Sequence, residues 1–196
     1  NARKGGNVSP IPADHSQNLT GIWPKKVVNY KTVMSDAASG FTSVTYPFPV
    51  IRMADLYLMY AEALNEKGED YATVLPWIDM VRERSGLQGV KESWDQYVGN
   101  SKYATQTGLR QIIMQERRIE LAFEGHYFWD VRRWKTATTE LTQPLTGWKV
   151  RYGETDVDYY SENLVLVRDF TPKMYFWPID IGELRKDPNL VQNYGW

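Results

Sequence analysis

The sequence predicts a mainly α-helical protein, in which helical hairpins form a scaffold flanked by irregular, loop-rich segments. Three observations carry that expectation. Apolar residues recur at three- and four-residue spacing through most of residues 51–137. Glycines stand where helical patterns stop, at Gly68, Gly86 and Gly125. Outside that stretch the periodicity fades, and proline and glycine punctuate the chain.

Composition sets the outer bounds. The 196 residues suffice for one domain with a substantial core. A net charge of −1 supplies no basic field to gather nucleic acid or anionic lipid, so no nucleic-acid partner is expected. Cysteine is absent, which removes disulfides, thiol catalysis and thiolate metal ligands. Aromatic residues stand out, with 8 Trp, 13 Tyr and 6 Phe, enough for a core and for flat surfaces that stack on a ring-shaped ligand. No apolar run reaches the roughly 18 residues of a membrane span. The polar opening, NARKGGNVSPIPADHSQNLTG, carries neither an initiator methionine nor a signal peptide, and we expect it to continue from a longer N-terminal part.

In chain order, residues 1–46 form a loop and strand segment, with KKVVNYKTV as a short strand among Pro10, Pro12 and Pro24. A first helix starts after Pro49. One of its stripes is Ile51, Ala54, Leu58 and Ala61; a second is Met53, Leu56, Tyr57, Tyr60 and Leu64. Apolar on nearly all sides, it is expected to be buried on most of them. A second helix, YATVLPWIDMVRERSGL, follows Gly68, with its regular part starting near Pro76. Residues 88–105 are a polar insertion carrying Trp94, Tyr97 and Tyr103. A third helix, LRQIIMQERRIELAFE, runs to Gly125 and a fourth, HYFWDVRRWKTA, follows directly. The scaffold thus occupies residues 47–137, and 138–196 is an irregular segment packed on it, with NLVLVRDF strand-like and a helical turn near IGEL. Helix pairs of this size resemble tetratricopeptide units, which stack because one pair cannot bury its own faces. Two pairs are too few to stand alone, so the N-terminal remainder of the same protein is expected as a partner.

The segment ERRIELAFEGHYFWDVRRW, residues 116–134, sets charges inside an apolar pattern. Positions 109, 112, 113, 116, 119, 120 and 123 share one helical face and read Leu, Ile, Ile, Glu, Ile, Glu, Phe. Glu116 and Glu120 therefore need partners, because a buried carboxylate persists only when paired. Arg132 and Arg133, on the next helix, are the expected partners, and Asp55 and Glu62 repeat the arrangement on the first helix. A catalytic carboxylate pair of the glycosidase kind is the rival reading. Arginines drive neighbouring carboxylates toward the ionised form, which is wrong for a general acid, so the ionic clasp is favoured and catalysis is not expected.

Three segments also carry a family resemblance. IRMADLYLMYAEALNEKG, ERRIELAFEGHYFWDVRRW and YFWPIDIGELRKDPNLVQNYGW, in that order, resemble the C-terminal half of SusD/RagB-like proteins. The resemblance rests on the Glu-Arg-Arg helix, the Phe-Glu-Gly-His turn, the Asp-x-Arg-Arg-Trp helix and the terminal Asn-x-Gly-Trp. It implies a non-enzymatic lipoprotein of the bacterial outer-membrane surface, anchored through a cysteine this sequence does not contain. Such a protein captures oligosaccharide or polysaccharide, or peptide in RagB-like cases, and partners a SusC-like TonB-dependent transporter. The implied fold has tetratricopeptide-like pairs as scaffold and an irregular part holding the ligand.

Family members use loop aromatics outside the scaffold, and the matching segment before residue 51 nominates Trp23, Tyr30 and Phe41 as ligand-binding residues. The plainer alternative has these rings packing the strand-like segment onto the helices. Trp94, Tyr97 and Tyr103 form a second candidate cluster, whereas Tyr57, Tyr60, Trp129, Trp134 and Trp177 are expected in the core. With only His15 and His126, a zinc site is not expected, and no other cofactor is implied. Asp156 and Asp158 open a calcium-like pattern, but Val167 stands where an EF-hand needs its bidentate glutamate. A helical-repeat scaffold for protein partners remains the alternative outside ligand capture, and would place its aromatics on the helices' concave face.

Overall fold

The computed structural model describes residue 24, residue 26 and residues 28–34, 41–149 and 155–196, without the side chains of Met34 and Phe41. The protein is mainly helical. It divides into two compact units, one of residues 25–128 and one that includes residues 129–196.

In the first unit a two-residue ladder, β1 (Val33–Met34) with β2 (Phe41–Thr42), precedes the helices. Within the stretch predicted as a strand, residues 29–32 form a turn: the N–H of Thr32 bonds to the Asn29 carbonyl, and Asn29 Oδ1 accepts from the N–H of Lys31. An asparagine that bonds its own backbone two residues on favours turning over extension.

Helix α1 (Met53–Lys67) ends at Gly68, whose φ of 88° only glycine adopts without cost; the Gly68 and Glu69 amides close onto the Asn65 and Leu64 carbonyls. Helix α2 (Tyr71–Arg84) starts five residues before Pro76 rather than at it. The Asp70 carboxylate caps the Ala72 amide at 2.8 Å, and buried Val74 and Leu75 fasten the first turns, so the helix runs through the proline. Within the insertion, α3 (Val90–Ser93) is capped by Asp79, which accepts from the Val90 amide at 2.8 Å, and a single π-helical turn (Trp94–Val98) and a 3-10 turn (Lys102–Ala104) follow. Helix α4 (Gln106–Glu120) is capped by Thr105, and packs on α1 and α2. Leu58, Ala61, Val74, Ile78, Leu109 and Ile113 form the centre of this core. Helix α5 (His126–Arg133) follows Gly125, at φ 84°, and crosses the division between the units. The hairpin completed in the first unit is therefore α1–α2, with α4 as its third helix.

Two expectations about burial change. Only one stripe of α1 is covered, and Ile51, Met53, Leu56 and Tyr60 are exposed. On α4 the buried row runs Leu109, Ile113, Arg117, Leu121, while Ile119 and Phe123 face solvent. Residues four apart stack along one line of a helix, and the line that meets α1 is this one.

The second unit continues with α6 (Ala137–Glu140), β3 (Leu145–Trp148), α7 (Asp156–Tyr159), β4 (Glu162–Leu166), a 3-10 turn (Pro172–Tyr175) and α8 (Ile181–Lys186). Strands β3 and β4 pair antiparallel, and β4 covers residues 163–166 of the strand-like NLVLVRDF, stopping before Val167. The C-terminal Asn-x-Gly-Trp is a fastening. Trp196 Nε1 donates to the Lys173 and Phe176 carbonyls at 3.1 and 3.0 Å, and Asn193 Nδ2 donates to that of Trp177 at 2.6 Å.

Candidate functional site

The charges of the third predicted helix are held inside the first unit. Arg117, 3% exposed, meets Asp55 at 2.9 Å. Glu116 pairs with Arg82, whose guanidinium also reaches Ser93 Oγ and the Gln88 carbonyl. Glu120 takes Arg52 and Arg84, both at 2.7 Å, and Glu124 takes Arg52 at 2.7 Å and Lys26 at 2.5 Å. The clasp within the first unit is therefore built from Arg52, Arg82 and Arg84. Arg133 meets Asp130 at 2.8 Å and the Trp134 ring, and Arg132 lies over the Phe170 ring. The physical reason is packing: α4 lies against α1 and α2, so the guanidiniums within reach are those at the start of α1 and the end of α2.

The titration expected of Glu116 also needs correcting. Burial raises the pKa of Glu116, and Arg82 only partly offsets it. At Glu124 burial pushes the same way, but hydrogen bonds from Arg52 and Lys26 prevail and the pKa lies low.

Of the nominated ligand residues, Trp23 lies outside the described residues, and Phe41 is placed in β2 by its backbone alone. Tyr30 sits on the turn before β1, 89% exposed, with the Lys31 ammonium 5.7 Å from its ring centre. In the second candidate cluster, Tyr103 is buried against Tyr71 and donates to Asp95 at 2.8 Å, and Trp94 packs on the core. Only Tyr97 of that cluster stands exposed. Among the rings expected in the core, Tyr57 packs on Trp77 beside it, whereas Tyr60, though edge-on to the same Trp77 ring, is exposed, as are Trp129 and Trp177. Asp158 is bound to Lys149 at 2.8 Å, and the described residues hold no cluster of three or more carboxylate or imidazole groups fit for a metal.

The clefts among the described residues include two open to a ligand. One of about 210 Å³ lies between α1 and α2, lined by Arg52, Met53, Tyr57, Met80 and Arg84. The other, of about 700 Å³, lies beside the end of α5 in the second unit, lined by Trp129, Arg132, Arg133, Lys135, Tyr175 and Phe176. Neither is lined by a carboxylate. A third ring assembly, missed in the sequence, joins Trp148, Tyr159 and Tyr160. Its signal was the adjacent Tyr159-Tyr160 pair in an irregular stretch, which acquires meaning only once β3 is paired with β4.

Residues 5–196 match the model of the SusD family. The chain belongs to the SusD family. It is similar to two SusD-like proteins of Formosa agariphila, 37% identical over 133 residues and 39% over 144, covering 67% and 74% of this chain but 26% and 23% of those relatives. Among solved structures it is similar to a SusD-like protein from Bacteroides fragilis, with a TM-score of 0.62 and 30% identity, over 79% of this chain and 28% of that one. This SusD-family chain therefore spans about a quarter of the length of the relatives it matches. No helix among its described residues is long and apolar enough to cross a membrane.

Proposed function

We propose that this chain belongs to a cell-surface glycan-binding protein, which passes oligosaccharide to a SusC-like TonB-dependent transporter in the outer membrane and performs no catalysis itself. A lipidated cysteine outside this sequence anchors it, and the N-terminal remainder of the protein covers the exposed side of α1. The ligand stacks on loop aromatics, among them Trp23, Tyr30 and Phe41. The observation that supports this best is the separation of charge from exposed ring. Glu116 and Glu120 are committed to guanidiniums in the scaffold, while Tyr30 presents its ring to solvent on a turn outside it. Aromatic faces of this kind stack on the apolar face of a sugar ring.

Calorimetry of the complete protein against a panel of polysaccharides and peptides tests the reading, with Trp23→Ala and Tyr30→Ala alongside. One glycan class is expected to release heat, and each substitution to weaken it at least tenfold, about 1.4 kcal/mol. Heat from peptides alone would make this a RagB-like peptide binder. Glycan binding untouched by either substitution would keep the function and move the ligand off this segment.

A further inference from the structure

The β3–β4 pair and the turn after α7 build a ring platform remote in sequence from Trp23, Tyr30 and Phe41. Trp148 closes β3 and stands opposite Glu162, the first residue of β4. Directly opposed residues of an antiparallel pair project from one face, with Cβ atoms about 4.5–5.5 Å apart. The Trp148 ring meets that of Tyr160 at 5.1 Å and 85°, forming an L-shaped corner, and the two residues are 38% and 61% exposed. Tyr159, 2% exposed, backs both rings at 6.2 and 5.0 Å. The Lys149 amide bonds to the Tyr159 and Ser161 carbonyls, both at 3.1 Å, and its ammonium to Asp158, so the corner is fixed before any ligand arrives. Glu162 is exposed and has no side-chain hydrogen bond or ion pair among the described residues.

We propose that this corner is a saccharide subsite selective for a neutral pyranose bearing vicinal hydroxyls. The inference rests on the glycan-binding reading above. The sugar's apolar face stacks on the Trp148 indole, Tyr160 walls one edge, and the Glu162 carboxylate accepts from two neighbouring hydroxyls. A carboxylate accepts but does not donate, so it suits hydroxyl donors and repels a uronate or a sulfate ester. Neutral sugars are thereby chosen over acidic ones of the same size.

The test is calorimetry of the complete protein with cello-, manno- and xylo-oligosaccharides as neutral probes and oligogalacturonate as the acidic one. The expected result is tight binding of at least one neutral probe, lost at least tenfold in Trp148→Ala and retained in Trp148→Tyr, which keeps a stacking face. Glu162→Gln, on the protein's surface, is expected to weaken the neutral probe several-fold while improving oligogalacturonate relative to it. It reads the subsite even where Trp148→Ala fails to fold. Neutral binding unchanged in Trp148→Ala and Glu162→Gln overturns the subsite and leaves glycan capture standing. Parent protein silent toward every saccharide overturns both, and equal affinity of the parent for acidic and neutral probes overturns the selectivity.

Discussion

Asp55 and Arg117 show what a buried pair costs to break. Removing one partner strands the other charge in a core that cannot solvate it. Arg117→Met is expected to cost about 3–5 kcal/mol, and the double change with Asp55→Leu to recover most of it, read from urea midpoints at unchanged slope. Glu116 and Glu124 predict opposite responses to pH. Both have ordinary values near 4.5; Glu116 is raised in the fold and Glu124 lowered. A raised folded-state pKa contributes stability that is full below the unfolded value and lost as pH rises through the folded one. A lowered one contributes stability present above the unfolded value and lost as pH falls through the folded one. Glu116→Gln should therefore become less costly as pH climbs from 4.5. Glu124→Gln should cost most at neutral pH and least below 4.5. Thermal melts of both variants against the parent, between about pH 3 and 7, check the two slopes.

At the scale of elements, α2 carries a penalty and its compensation. Pro76 gives no N–H to the turn before it, and sits exposed where nothing packs tightly on its ring. Pro76→Ala is expected to stabilise the protein by about 2 kcal/mol, the helix gain reduced by the looser unfolded chain. Asp70→Ala is expected to destabilise it by about 1 kcal/mol, because the Ala72 amide loses its cap. Paired denaturation curves decide both signs. The helix end at Gly68 is legible in sequence, because its chemistry is local: a residue free to take positive φ. The start of α2 at Asp70 emerged only from the structure. The proline misled because its local preference lost to buried Val74 and Leu75, which lie on the far side of the turn.

For the whole molecule, the decision is between capture and catalysis. Incubating the complete protein with a glycan it binds should leave the ligand's chain-length distribution unchanged in a reducing-end assay. Glu116→Gln and Glu120→Gln should shift melting temperature and leave glycan affinity alone, since both carboxylates hold helices together. Newly formed reducing ends, abolished by either change, would reverse the reading. The exposed α1 residues Met53, Leu56 and Tyr60 belong to this scale as well. Periodicity marked them as apolar, but burial depends on what lies against the helix, and this chain spans about a quarter of its relatives' length.

By itself, the sequence determined the helical class, the end of α1 at Gly68, a strand within NLVLVRDF and the family, because each is written in local periodicity, backbone freedom or contiguous motif; the third helix instead stops at Glu120, five residues short of Gly125. Tertiary structure alone decided which arginines clasp Glu116 and Glu120, and which row of α4 is buried. It also decided that Tyr103 is core, and that Trp148 stands across from Glu162. Those facts depend on which helix face meets which neighbour and on strand register, and residues distant in the chain carry no local sign of either.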